Sequence, residues 1–179
     1  MLSIGAIIAF AVFKTSLANS GELKPSDQEV KAALLFRVAK FIEWPSSAFN
    51  DAHSPFVMCV VGDESRVPPF EPIHGKALNG RPVVVRRITG DMLDLGQCHA
   101  AFFPDDSDAD VDYALGKLQS APVLTVGEND AFVRRGGTLA LVTRDQRVQF
   151  TIHLAASKRA QLKVSSQLLQ LANVVGESP

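Results

Sequence analysis

Two cysteines, Cys59 and Cys98, are the residues whose chemistry this sequence constrains most. Each lies beside a strand-like apolar run, and the chain opens with a segment typical of export signals. Exported proteins that keep an even number of cysteines usually oxidise them. The sequence therefore predicts a Cys59–Cys98 disulfide. Closing a loop of about forty residues in this way stabilises a fold by roughly 3–4 kcal/mol in the chain-entropy model.

The dipeptide Cys98-His99 raises the alternative of a metal site. A structural zinc site takes about four ligands at defined spacings, whereas His53, His74 and His153 are scattered along the chain. We therefore interpret His99 as an incidental neighbour of a disulfide cysteine. The sequence predicts no metal site and no cofactor.

Acidic residues follow several predicted strands and are candidates for binding a ligand. Asp63 follows the first strand, Asp105 the third and Glu128 the fourth. Ligands of open α/β sheets gather at the carboxyl ends of strands, and carboxylate oxygens also suit hard cations such as Mg²⁺. The simpler interpretation is that these are solvated loop carboxylates. They form the candidate site of an alternative hypothesis, a small-ligand sensor.

The sequence favours a protein that works by binding and not as an enzyme. It contains no nucleophile elbow, no zinc-protease pair and no glycine-rich phosphate loop. Gly136-Gly137 is better explained as a tight turn into the fifth strand. The formal net charge is −1, with no basic block, so nothing indicates a nucleic-acid partner.

The first eighteen residues are interpreted as a signal peptide. An apolar run over residues 2–13 precedes Ser16-Leu17-Ala18, whose small residues fit the cleavage rule. The run is too short to span a bilayer, which needs about twenty residues. Residues 19–25 then form a polar leader, residues 26–179 a single domain, and the expected location is the periplasm. A retained weak anchor and a buried first helix are the alternatives.

Patterning along the chain predicts the elements that position these residues. Ser26 and Glu29 form a capping box for a helix running to about residue 41. The apolar stripe of this helix includes Val30 and Phe41 and is interrupted by Lys31. Phe36 falls among the charged residues of the helix. Strands are predicted at residues 55–61, 83–85, 100–103 and 123–126, a hairpin at 139–143 and 148–152, and helices at 111–118 and 165–174.

Alternating strands and helices predict an α/β fold. We expect a three-layer sandwich with a mostly parallel central sheet of about six strands, a C-terminal antiparallel hairpin at one edge, and helices on both faces. Cys59 on the first strand and Cys98 at the entry to the third meet if those strands are neighbours. A right-handed crossover through the second strand produces that arrangement.

An ordered set of motifs across this domain resembles the YfiR-like family. The matching residues are Lys31-Ala32-Ala33-Leu34-Leu35-Phe36, Ala39-Lys40-Phe41-Ile42-Glu43-Trp44-Pro45, Cys59-Val60-Val61-Gly62-Asp63, Asn79-Gly80-Arg81-Pro82-Val83, Cys98-His99, Leu124-Thr125-Val126-Gly127 and Leu162-Lys163-Val164-Ser165-Ser166-Gln167-Leu168-Leu169. The resemblance implies an exported α/β sandwich protein that regulates and does not catalyse.

The resemblance also implies the partners. The best understood members hold down a membrane-anchored diguanylate cyclase through its periplasmic sensor part, and an outer-membrane lipoprotein titrates them away. We therefore expect a periplasmic regulatory protein that sequesters such a cyclase and lowers cyclic-di-GMP signalling. The alternative hypothesis is the small-ligand sensor described above.

Five residues are candidates for the partner surface: Phe36, Arg37, Lys40, Trp44 and Leu169. Tryptophan is enriched among interface anchors, although a lid over the core edge explains Trp44 as well. Phe36 lies on the charged side of the first helix with Arg37 and Lys40, where a homodimer contact is an equal explanation. Leu169 widens the apolar stripe of the last helix, unless a loop covers it.

Overall fold

The computed structural model describes residues 24–89, 92–104 and 109–176. The signal peptide predicted at residues 1–18, most of the polar leader, and Asp105 lie outside these ranges. Within them, no helix combines the length and the apolar character that a bilayer-crossing segment needs.

Ten strands occur in the part of the chain that the structure describes. In chain order they are β1 (Ile42–Glu43), β2 (Phe56–Val61), β3 (Ala77–Leu78), β4 (Arg81–Ile88), β5 (Ala100–Phe102), β6 (Leu124–Gly127), β7 (Leu139–Arg144), β8 (Arg147–His153), β9 (Lys163–Val164) and β10 (Asn173–Val175).

Eight of these strands form one sheet in the order β10-β8-β7-β6-β5-β2-β4-β3, and β1 pairs with β9 in a separate small sheet. Most neighbours in the large sheet are parallel, whereas β7–β8 and β3–β4 are antiparallel. The predicted mixed sheet and hairpin are therefore confirmed. The expected size of about six strands is wrong, because the short edge strands β3 and β10 have little sequence signal. The hairpin is also not at an edge, since β10 lies beyond it.

Five α-helices accompany the strands within the described ranges: α1 (Asp27–Ala39), α2 (Ala109–Leu118), α3 (Asp130–Arg134), α4 (Leu154–Arg159) and α5 (Ser166–Leu169). Short 3₁₀ helices span Ser46–Ala48, Glu64–Arg66, Pro68–Ile73 and Met92–Gln97. The capping box is confirmed: the Glu29 amide donates to Ser26 Oγ at 3.2 Å, and the Ser26 amide donates to Glu29 Oε2 at 2.7 Å.

The first helix ends two residues earlier than predicted, because the chain turns there to pair β1 with β9. Phe41 therefore lies outside the helix. Val30 and Phe41, assigned to the buried stripe, are 37% and 41% exposed, whereas Phe36 is half-buried against the core.

The predicted last helix over residues 165–174 is wrong beyond Leu169. Residues 173–175 instead form β10, which pairs in parallel with β8 at Val174↔Ile152 and Val175↔His153. The outer edge of β8 offers unpaired backbone groups there, and two consecutive valines suit a strand better than a helix.

Alternate residues of the central strands pack into two apolar clusters on opposite faces of the sheet. Phe56, Met58 and Val60 of β2 join the cluster that contains residues of α1. Val57 and Cys59 join the cluster that contains residues of α2 and α3. The strand is thus buried on both sides, as its continuous apolar run predicts.

The disulfide lies at the centre of the second cluster. β2 and β5 are direct parallel neighbours, with Cys59 in register with Ala101. Cys98 precedes β5, and the Cα atoms of the two cysteines are 5.9 Å apart. The predicted Cys59–Cys98 bond is present in the structure.

Removing this bond should destabilise the protein strongly. We expect the Cys59→Ala/Cys98→Ala variant to lose about 3–4 kcal/mol of unfolding free energy, because the unfolded chain regains the entropy of the closed loop. Urea unfolding monitored by circular dichroism measures this loss. A reductant should bring the wild type to the variant's level and leave the variant unchanged. Equal stability of the variant and the oxidised wild type would contradict this expectation.

Gly137 also has a strict packing role at the entry to β7. A Cβ atom there would overlap the ring of Phe132, which is fully buried. Gly137→Ala should therefore cost about 1–3 kcal/mol through overpacking. The matched control is Gly116→Ala in α2, where a Cβ meets nothing within 4 Å and helix propensity should add up to about 1 kcal/mol. Thermal unfolding of both variants tests whether only Gly137→Ala lowers the melting temperature. An unchanged melting temperature of Gly137→Ala would contradict the prediction.

Candidate partner-binding surface

The small β1–β9 sheet displays one face outward beside the end of α1. Ile42 pairs with Val164 and Glu43 with Lys163, and the Ser165 amide donates to the Phe41 carbonyl at 3.0 Å. Ile42 is buried, so side-chain alternation places Glu43 and Lys163 on the outward face. We call the surface formed by Phe36, Arg37, Lys40, Phe41, Glu43 and Lys163 the α1–β1–β9 surface.

This surface combines aromatic rings with cations. Lys40 Nζ lies 4.6 Å from the centroid of the Phe36 ring, within the range of a cation–π contact. Phe41 is 41% exposed, and Arg37 is exposed one helical turn before it. Three of the five predicted partner residues, Phe36, Arg37 and Lys40, therefore lie together.

The charge of the surface is positive although the chain as a whole has a formal net charge of −1. Arg37, Lys40 and Lys163 provide exposed cations, and Glu43 is the carboxylate among them. A local excess of one sign steers and selects partners of the opposite sign. The surface therefore fits an acidic partner.

Leu169, like Phe36, is only partly exposed. Its side chain is half-buried against the core cluster that includes α1. Leu171, two residues later, is 76% exposed. Of the broad apolar stripe predicted for the last helix, Leu169 thus packs against the core and Leu171 is exposed.

Trp44 closes the edge of the core. Its indole Nε1–H donates to the His99 carbonyl at 3.0 Å, and its ring meets Phe56 edge-on with centroids 4.9 Å apart. The side chain is half-buried. These contacts match the lid interpretation that the sequence left open.

His99 organises the same edge, a role that sequence reasoning missed. The Val57 amide donates to His99 Nδ1 at 2.9 Å. The hydrogen of this neutral ring must therefore lie on Nε2, which is 2.9 Å from the Ala48 carbonyl and donates to it. The ring stacks on Phe49 and Phe56 at 4.3 and 5.2 Å. No local pattern around Cys98-His99 indicated this role, because Phe49 and Phe56 lie far earlier in the chain.

Burial is the main reason that the pKa of His99 lies below its usual value. The nearby Arg81 guanidinium lowers this pKa further, whereas the contact with the Ala48 carbonyl partly opposes the shift. The ring is 7% exposed. At neutral pH it is therefore an uncharged spacer between strand and loop.

The acidic ligand candidates make intrachain contacts. Asp63 Oδ1 accepts from the Ser65 amide at 2.9 Å and caps a 3₁₀ turn. Glu128 Oε1 accepts from Gln28 Nε2 at 2.8 Å and from Lys31 Nζ at 2.7 Å. Asp105 lies outside the described residues. Across residues 24–89, 92–104 and 109–176 no cluster of three or more metal-ligating side chains occurs.

Lys31, which interrupts the apolar stripe, forms a largely buried ionic network. Lys31 is 6% exposed, and its Nζ lies 2.6 Å from Asp27 Oδ2 and 2.7 Å from Glu128 Oε1. Thr143 Oγ1 also donates to Asp27 at 2.6 Å. Burial lowers the pKa of Lys31, but its bonds to the two carboxylates outweigh this and raise it. Burial raises the pKa of Asp27, and the bonds from Lys31 and Thr143 more than reverse that shift.

Comparison with known proteins identifies the family. Residues 28–173, most of the chain, match the model of the YfiR/HmsC-like family. This chain belongs to the YfiR/HmsC-like family. The family expectation drawn from the sequence motifs is thus confirmed.

A crystal structure of a conserved domain protein from Vibrio cholerae O1 biovar El Tor is similar to this YfiR/HmsC-like protein. The two share 12% identity with a TM-score of 0.57, over 83% of this chain and 60% of that chain. The chain thus spans under two thirds of that protein, and at this identity the likeness shows the fold alone. No curated protein matches the chain.

The YfiR/HmsC-like family is a regulatory family and suggests a periplasmic regulator of cyclic-di-GMP signalling. The α1–β1–β9 surface is therefore the candidate contact surface.

The Lys31 network should behave as a coupled unit. Lys31→Ala should lose about 2–3 kcal/mol of unfolding free energy, because it leaves Glu128 without its buried cation. Adding Glu128→Gln should recover part of that loss, with a coupling energy of about 1–2 kcal/mol in a double-mutant cycle. The control Lys40→Ala, on the exposed side of the same helix, should change stability by at most about 0.5 kcal/mol. Additive single effects in urea unfolding would contradict the coupling.

Proposed function

We propose that this protein sequesters the periplasmic sensor part of a membrane diguanylate cyclase and thereby lowers cyclic-di-GMP signalling. Family membership supports the regulatory and periplasmic parts of this proposal. The observation that carries the binding part is the α1–β1–β9 surface, which combines the exposed Phe41 with the Lys40–Phe36 cation–π contact.

The composition of this surface is that of a contact site. Protein interfaces combine an apolar centre with a polar rim, and they are enriched in aromatic residues and arginine. Here Phe36 and Phe41 supply the apolar centre, and Arg37, Lys40 and Lys163 supply the rim. Removal of the two rings from water on binding would provide the main affinity.

The surface is also rigid, which favours binding. Ile42 beneath it is 2% exposed, and Leu35 and Val38 of α1 are buried in the same cluster. The β1–β9 pairing and the Ser165–Phe41 hydrogen bond fix the neighbouring backbone. A preorganised surface loses little conformational entropy when a partner docks.

Other partners could compete with the cyclase for the same surface. An outer-membrane lipoprotein that binds the protein would lower the amount available to hold the cyclase. A second copy of the chain is a poorer occupant of the α1–β1–β9 surface itself, because its cations would face one another across a two-fold axis. We propose export by residues 1–18, followed by a single domain over residues 26–179.

The small-ligand hypothesis receives no specific support from Asp63 or Glu128, because both carboxylates hold hydrogen bonds within the chain. A thermal-shift screen against small metabolites distinguishes it from the proposed function, since a ligand that binds only the folded state raises the melting temperature.

Charge reversal on the α1–β1–β9 surface tests the proposal. Tagged protein should capture a membrane diguanylate cyclase from detergent-solubilised membranes under oxidising conditions, and its production should lower cellular cyclic-di-GMP. Arg37→Glu/Lys40→Glu should weaken capture at least about tenfold, since like charges would then face an acidic partner. Mass spectrometry and a cyclic-di-GMP assay measure the two effects.

The matched control is Lys76→Glu/Lys117→Glu, which changes net charge equally at exposed sites away from the surface. This variant should behave as wild type. Failure of the wild type to capture any membrane cyclase would overturn the proposed function. Equal binding by both charge-reversal variants would instead exclude this surface as the contact site.

A further inference from the structure

Residues 44–50, between β1 and β2, form a strap across the amino ends of the sheet strands. His99 holds this strap in place. Trp44 at its start bonds to the His99 carbonyl. The Ala48 carbonyl accepts from His99 Nε2 at 2.9 Å. Phe49 near its end stacks on the His99 ring with centroids 4.3 Å apart. One residue therefore connects both ends of the strap to the sheet.

This attachment requires an uncharged ring. His99 Nδ1 accepts the Val57 amide hydrogen at 2.9 Å, so its lone pair is already committed. A proton added to Nδ1 would place two N–H groups against each other at that distance. The Val57 amide would lose its acceptor inside a buried site, which destabilises that arrangement. The ring must then move away from Val57 if it becomes charged.

The cations around His99 oppose its protonation. Arg81 on β4 lies over the Phe49 ring at 3.8 Å, on the far side of the stack, and it donates to the carbonyls of Asp51 and Ser54. Arg86, also on β4, lines a groove that His99 also lines. Both are positively charged, so neither stabilises an imidazolium.

The carboxylates in the packed elements are directed elsewhere. Asp51, in the loop before β2, accepts from the amides of His53 and Ser54. Asp94, in the 3₁₀ helix before Cys98, accepts from Gln97. Cys98 itself is in the disulfide and does not titrate. Within the described ranges, the ring nitrogens of His99 contact the Val57 amide and the Ala48 carbonyl and no carboxylate.

We infer that protonation of His99 releases the 44–50 strap from the sheet, which makes the strap an acid-sensitive element beside the α1–β1–β9 surface. A groove of about 600 Å³ already lies along the strap, between Ser47, Asn50, Gln97 and His99. Release would widen this groove and change the surroundings of Trp44, whose indole bonds to the His99 backbone carbonyl. It would also loosen the residues that follow β1, next to the proposed contact surface.

The direction of the pH effect follows from the burial of the ring. Burial first, and Arg81 next, lower the pKa of folded His99 below the ordinary value of 6.5. The stabilisation by the neutral ring is therefore complete above pH 6.5 and is lost as the pH falls through the folded pKa. A periplasmic protein meets such acid, because small solutes and protons enter that compartment from outside.

Trp44 is the sole tryptophan and reports directly on the strap. Between pH 7.5 and 4.5 the wild-type emission maximum should shift to longer wavelength in a one-proton step below pH 6.5, with unchanged far-UV circular dichroism. His99→Gln should abolish this step. The control His153→Gln, which removes the other histidine whose pKa burial lowers, should retain it. A second readout in the wild type is the ¹H–¹⁵N resonance of Val57, which should titrate with the same midpoint.

Absence of the step in folded wild type, or its persistence in His99→Gln, would overturn the inference. If His99→Gln does not fold, a Val57 resonance that stays constant while the fluorescence changes would overturn it equally. The link to partner affinity rests on the proposed function, but these measurements use the isolated protein. Their failure is therefore distinct from failure to bind a cyclase.

Discussion

The disulfide bond between Cys59 and Cys98 fixes β2 relative to the start of β5. The proposed functional features depend on this end of the sheet. The bond joins adjacent strands β2 and β5 within a buried apolar cluster. His99, the next residue, then lies opposite Val57 and exchanges backbone and side-chain hydrogen bonds with it. The bond therefore sets the position of the ring that holds the 44–50 strap.

The same end of the sheet connects the disulfide to the proposed contact surface. The strap begins directly after β1, and Trp44 spans from that strand to the His99 carbonyl. On the other side, β1 pairs with β9 and carries Phe41 and Glu43 outward beside α1. The large sheet thus serves as a scaffold, and the proposed contact residues lie on α1, β1 and β9 beside it. A binding function requires no more than such a scaffold with an apolar, charge-rimmed face.

Local signals in the sequence predicted the elements that depend on local interactions. The capping box located the start of α1, and continuous apolar runs located β2, β5 and β6. The cysteines predicted the β2–β5 contact through their expected bond. The end of the chain was predicted less well, because β10 exists only through pairing with the edge of β8, which no local pattern encodes.

Side-chain roles that depend on distant partners were likewise hidden. Lys31 interrupts an apolar stripe, and only the fold brings Glu128 to it across ninety-seven positions. His99 looked incidental until β2 supplied the Val57 amide. Phe36 and Phe41 exchanged their expected exposure because α1 ends earlier than its apolar periodicity indicates. Sequence thus indicated a candidate surface, and tertiary pairing decided which of its residues face solvent.

Site-specific photocrosslinking tests the central claim, that this protein acts by binding through the α1–β1–β9 surface. A benzophenone amino acid is placed at Phe41, or at the exposed Tyr113 on α2 as a control, and cells that produce the protein are irradiated. The account predicts crosslinks from position 41 to the periplasmic part of a membrane diguanylate cyclase and none from position 113. Crosslinks from position 113 alone, or a cyclase-free crosslink pattern at position 41, would contradict it.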